Sequence, residues 1–122
     1  MTIKTLNKDF TVCKVTDYSL VNFESEYCFT GKTDEENSLV CLTQDIPVNT
    51  TDREDGWRGF RIEGVLDFSL VGILSKISAI LADAKIGIFA ISTFNTDYIF
   101  VKQPDEEKAL SALAGKGYTI IR

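Results

Sequence analysis

The second half of the chain carries the clearer pattern of apolar and polar positions. From Trp57 to Leu66, the residues Phe60, Ile62 and Leu66 share one side of an extended chain, with Arg61 and Glu63 on the other, which predicts a strand. Asp67–Phe68–Ser69 follows and offers a helix N-cap at Ser69. Leu70, Ile73, Leu74, Ile77, Ile80, Leu81 and Ala84 then recur at three- and four-residue steps, forming one apolar helix face with Lys76 and Asp83 outside it. Ile86 to Ile91 and Tyr98 to Val101 are rich in β-branched and aromatic residues. They predict two strands paired as a hairpin around the more polar Ser92–Asp97. Pro104 suits the first turn of a second helix, and Asp105, Glu106 and Glu107 complement the positive end of its dipole. Ala109, Leu110 and Leu113 face inward, Gly115 or Gly117 ends the helix, and Tyr118 to Ile121 makes a last strand.

The order strand, helix, strand, strand, helix, strand predicts an α+β fold of ferredoxin-like type over residues 57–122. Ile86–Ile91 and Tyr98–Val101 are apolar on both faces, whereas an antiparallel sheet with one wet face alternates. The first half of the chain or a second copy is therefore expected to cover the face away from the helices, and an oligomer, most simply a homodimer, is expected. The first half reads as β-rich, with strands near Phe10–Thr16, Glu26–Thr30 and Ser38–Leu42 and a short turn at Thr33–Asn37. Residues 47–56 are polar and rich in turn formers, so they read as a linker between a reduced half (1–46) and the βαββαβ half (57–122).

Composition narrows the function classes. A chain of 122 residues with 44% hydrophobic residues is one ordinary domain or two very small ones sharing a core. Its apolar runs are too short to span a bilayer, and no apolar run follows the first lysines, so neither membrane span nor signal peptide is expected and the cytoplasm is the expected location. The net charge of −5 is uneven: residues 1–56 hold five Lys or Arg against eleven Asp or Glu, and residues 57–122 hold eight against seven. Neither half concentrates the positive field that nucleic acid requires. The runs Asp34–Glu36 and Asp52–Asp55 lack the ligand spacing of a calcium loop and read as solvated turns. Cys13, Cys28 and Cys41 form no C-x-x-C pair and read as buried free thiols.

The chain has no histidine, which removes the commonest general base and metal ligand. No phosphate-binding glycine motif is present either, and Asp67–Gly72 lacks the arginine that acylphosphatases of the same strand order require. No enzyme activity, metal or cofactor is expected. Phe89 and Phe100 lack the neighbouring basic residues of an RNA-recognition sheet, and Trp57, Tyr98 and Phe100 read as core.

Two places invite a ligand. Gly72 either lets the first helix pack closely or bares backbone N–H groups for a carboxylate. In the hairpin, Asn95–Thr96 turns the chain, and Asp97 either bonds within the turn or accepts from an ammonium, while Thr93 can bond a carboxylate. Phe94 caps the core or lines a pocket.

The stretch Leu66-Asp67-Phe68-Ser69-Leu70-Val71-Gly72-Ile73-Leu74 resembles the loop that leads into the first helix of an ACT domain. The stretch Ile91-Ser92-Thr93-Phe94-Asn95-Thr96-Asp97 is similar to the hairpin of the tandem-ACT arginine sensors known as CASTOR proteins, and of small bacterial two-domain relatives. The resemblance covers 57–122 and extends to 1–46 only in outline, as a degenerate first ACT domain. It implies a non-catalytic regulatory protein that binds an amino acid or similar small effector. The implied site takes Ser69, Leu70, Val71, Gly72 and Ile73 from the loop and Thr93, Phe94 and Asp97 from the hairpin. The arginine sensors carry an acidic residue where this chain has Leu70, so a smaller or more apolar amino acid than arginine is expected. The alternative is a protein–protein interaction module that docks its apolar sheet face on an unknown protein target and takes no small ligand.

Overall fold

The computed structural model describes residues 1–63 and 72–122. Its elements are β1 (Thr2–Val15), β2 (Cys28–Lys32), β3 (Asn37–Leu42), β4 (Thr50–Ile62), α1 (Ile73–Asp83), β5 (Ile88–Ser92), β6 (Asp97–Lys102), α2 (Glu106–Gly115) and β7 (Thr119–Ile121), with single 3-10 turns at Thr43–Asp45 and Gln103–Asp105. The fold is mixed α+β with a ferredoxin-like βαββαβ order from β4 to β7. The chain forms two compact units, Met1–Asn7 with Arg58–Arg122, and Lys8–Trp57. β1 and β4 each contribute one segment to each unit. Both strands carry a positive φ near the division, at Asn7 (58°) and at Gly56 (85°).

In the unit of Met1–Asn7 and Arg58–Arg122, the strand order is β7–β1–β4–β6–β5. A plain βαββαβ unit would place its last strand beside its first. Here the start of β1 lies between them. It pairs in parallel with β7 (Thr2 with Thr119, Ile3 with Ile120, Lys4 with Ile121) and accepts a bond at Thr2 O from Glu63 N, at 2.8 Å. β5 and β6 pair antiparallel from Ile88–Val101 to Ser92–Asp97. α1 and α2 bury Ile77, Leu81, Ala109, Leu110 and Leu113 against Ile3, Phe60, Ile62, Ile99 and Val101.

Both helices end alike. Lys85 (φ 62°) and Gly117 (φ 96°) are left-handed, and the next residue reaches back, Ile86 N to Leu81 O at 3.0 Å and Tyr118 N to Leu113 O at 3.2 Å. These are Schellman closures, and Gly117 is the helix stop that the sequence allowed there. On the opposite face, Phe100 is fully buried within the single chain and stacks on Phe89, with ring centroids 4.7 Å apart.

In the unit of Lys8–Trp57, β3 is flanked by β1 and β2, antiparallel to both. One face buries Cys13, Val15, Leu39 and Cys41, with Tyr18, Val21, Cys28 and Ile46 packed against them. Tyr18 fastens the covering segment by donating its hydroxyl to Ser38 O at 2.8 Å. Thr11 is fully buried and satisfied: its hydroxyl donates to Asp55 Oδ1 at 2.8 Å and lies 3.0 Å from Thr43 Oγ1.

One local expectation differs from the structure. Residues 47–56, read as a linker, are strand from Thr50 onward; Thr51–Gly56 are all exposed, so the segment has the composition of a loop and shows no alternation. Ser69, expected to cap the first helix, lies outside the described residues; α1 as described begins at Ile73, with Gly72 in the N-cap position.

Candidate ligand-binding site

The hairpin between β5 and β6 is built from its own polar groups. Ser92 and Asp97 are cross-strand partners, and Ser92 Oγ donates to Asp97 Oδ1 at 2.6 Å. Thr93 N and Thr93 Oγ1 both donate to Thr96 O at 2.9 Å, which closes the tight turn across Phe94 and Asn95. The in-turn reading of Asp97 is therefore realised, Thr93 also bonds within the turn, and each retains exposed surface. Phe94 stands at the tip, 80% exposed.

Thr96 is the residue that sequence reasoning passed over. Its side chain is buried and donates to Ile62 O at 2.8 Å. That bond ties the hairpin to Ile62, the last residue of β4. A threonine in a polar turn gives no sequence signal of this, because its partner is a backbone carbonyl 34 residues away.

Ser69, Leu70 and Val71, three of the expected loop residues, lie outside the described residues. Gly72 and Ile73 lie within them. Gly72 adopts φ 78°, and a Cβ built on it would meet nothing within 4 Å among the described residues. No described residue packs closely against this glycine. The position needs glycine for its left-handed backbone. α1 starts immediately after it, with Lys76 N donating to Gly72 O at 2.9 Å, no side-chain cap and no acidic residue in its first turn. The N–H groups of Ile73, Leu74 and Ser75 belong to the first turn, where a helix has no partners of its own for its donors.

Ile73 also borders a cleft of about 260 Å³, lined by Met1, Ile73, Lys76, Lys116, Gly117 and Tyr118. Two lysines and a helix start give this cleft a positive character. Sequence reasoning set Lys76 aside as solvent-facing and did not consider Lys116, since only the end of α2 and its turn bring the two together. Among the described residues, no group of three or more His, Cys, Asp or Glu is arranged to hold a metal ion. No described helix is long and apolar enough to cross a membrane.

Residues 52–115, more than half of the chain, match the ACT domain family, and the chain belongs to that family. ACT domains are regulatory, non-catalytic modules, and this protein is one of them. Its structure is similar to that of protein Atu0741 from Agrobacterium tumefaciens, with 28% identity, a TM-score of 0.86, and coverage of 98% of this chain and 91% of that one. It also resembles VC0802 from Vibrio cholerae, described as a protein of unknown function and possible transport protein (21% identity, TM-score 0.71, 92% and 86% covered). The regulatory subunit of aspartate kinase from Thermus thermophilus shares the fold at 10% identity and a TM-score of 0.64, with 94% and 96% covered. No curated protein matches the chain by sequence.

Proposed function

We propose that the protein is a sensor that binds an amino acid or similar small zwitterion between the loop Asp67–Ile73 and the hairpin Thr93–Asp97. The observation that carries this reading is the start of α1. A left-handed Gly72 leads into a first turn with no side-chain cap, beside a cleft bordered by Lys76 and Lys116. Free N–H donors, a positive dipole end and two ammonium groups suit a carboxylate. Asp97 supplies an acceptor for the ligand's ammonium, and Thr93, Leu70 and Phe94 complete the polar and apolar wall. Ser69 and Val71 belong to the same loop. The arrangement follows the tandem-ACT sensors in outline, with residues 1–46 as the reduced partner half. Leu70 disfavours arginine. In this reading the protein acts as a homodimer in the cytoplasm, a reducing compartment that suits its three free cysteines.

A thermal-shift screen of the twenty amino acids on the intact chain tests the proposal. At one hundred times its dissociation constant, the right effector stabilises the fold by about 2.7 kcal/mol. Lys76→Glu is expected to weaken that binding at least several-fold without lowering stability, because Lys76 is exposed. A response to arginine alone, or binding indifferent to both Lys76→Glu and Asp97→Asn, would move the site elsewhere. No response to any amino acid would favour the protein-docking module.

A further inference from the structure

The three cysteines, which have no short spacing in sequence, are brought onto one face of three adjacent strands. Cys28 on β2 is the direct cross-strand partner of Cys41 on β3. Cys13 on β1 faces the same way, since Thr11 is the partner of Cys41 and Cys13 lies two residues further along the strand. All three belong to one buried cluster, in which Cys13 and Cys41 are buried and Cys28 is half-buried.

We propose that Cys28 and Cys41 are an oxidative modification site, closing to a cross-strand disulfide under a peroxide while Cys13 stays reduced. Backbone geometry selects the pair. Directly opposed residues of antiparallel strands have Cα atoms about 4.5 or 5.5 Å apart, and both spacings fall inside the roughly 4.4–6.8 Å range of disulfides. Diagonal neighbours such as Cys13 and Cys41 stand about 7–8 Å apart, beyond that range. The register from Cys28–Cys41 to Lys32–Asn37 holds the pair in place, so bridging requires little motion.

The chemistry balances without another reactant. The Cys28 thiolate, at the more accessible position, attacks one peroxide oxygen; the O–O bond breaks, giving a sulfenic acid and hydroxide, which takes up a proton. Cys41 then attacks the Cys28 sulfur. The S–S bond forms as hydroxide leaves and takes the Cys41 proton, so two thiols and one hydrogen peroxide give one disulfide and two waters. Burial pushes all three thiols above their ordinary range, so the reaction is slow at neutral pH and accelerates as pH rises.

The test oxidises the intact chain with hydrogen peroxide at mildly alkaline pH, to completion. Unfolding in N-ethylmaleimide and mass spectrometry of the intact chain and its peptides then count the free thiols. Expected are one adduct, on Cys13, a Cys28–Cys41 linked peptide and a higher melting temperature that reductant reverses. Cys13→Ser should retain the link, and Cys28→Ser, which alters the half-buried position on β2, should lose it. Three adducts, a Cys13–Cys41 link, sulfinic acid at Cys28 in place of a link, or a disulfide between two chains would each overturn the proposal.

Discussion

Gly59 is expected to be irreplaceable for a reason that has nothing to do with its backbone conformation. A Cβ built at this position would lie 2.8 Å from Phe100 Cε1 and 3.1 Å from both Phe100 Cδ1 and Leu6 Cδ1. Carbon atoms in contact prefer about 3.5–4.0 Å, so the ring would have to retreat by roughly 0.7 Å or more. Phe100 has no room to do so. It is fully buried, and it lies on β6 between β4 and β5, where Phe89 stacks on it at 4.7 Å with an interplanar angle of 11°. Overpacking of this kind costs about 1–3 kcal/mol, against a gain of roughly 0.5–1 kcal/mol from replacing a strand glycine. Gly59→Ala should therefore destabilise the protein by about 1–2 kcal/mol, lowering the urea midpoint by about 1 M for a chain of this size. Phe100→Leu removes the ring, so the pair should cost less than the two single changes added, by about 0.5 kcal/mol or more. An unchanged midpoint in Gly59→Ala, or strict additivity with Phe100→Leu, would refute the clash.

Thr96→Val should cost about 1–2 kcal/mol in urea denaturation, because it removes the buried bond to Ile62 O, whereas Thr96→Ser should retain most of the stability. A valine that stabilised the protein would remove the bond as a stabilising link between the hairpin and β4. Stability should also fall at alkaline pH. Burial, with smaller contributions from Cys13 and Cys28, pushes the Cys41 thiol up to about 12. The folded form then keeps a proton that the unfolded chain loses above its ordinary value of 9.0, so this contribution is fully present below about pH 9 and is lost between there and pH 12. The urea midpoint should drop from pH 8 to pH 10, and drop less in Cys41→Ser; an equal drop in both would rule the thiol out as the source.

Local pattern alone determined the βαββαβ order. The apolar face of α1, the hairpin strands around Ser92–Asp97 and a glycine stop at Gly115 or Gly117 follow from side-chain period and turn chemistry within a few residues, and the structure picks Gly117. Gly72 was open to two readings in the sequence, and its left-handed backbone, with no described neighbour within 4 Å of its Cβ, emerged only from the structure. Thr51–Gly56 hid a strand because a segment exposed on both faces leaves no alternation to read. The parallel pairing of Thr2–Lys4 with Thr119–Ile121, the bond from Thr96 to Ile62, the cleft between Lys76 and Lys116 and the opposition of Cys28 and Cys41 were decided by tertiary structure. Each joins residues far apart in the chain, and the register that brings them together is set by closing the sheet and its core as a whole. A periodicity reports which way a side chain points; which partner it meets there depends on strand order, and no short stretch of sequence contains that order.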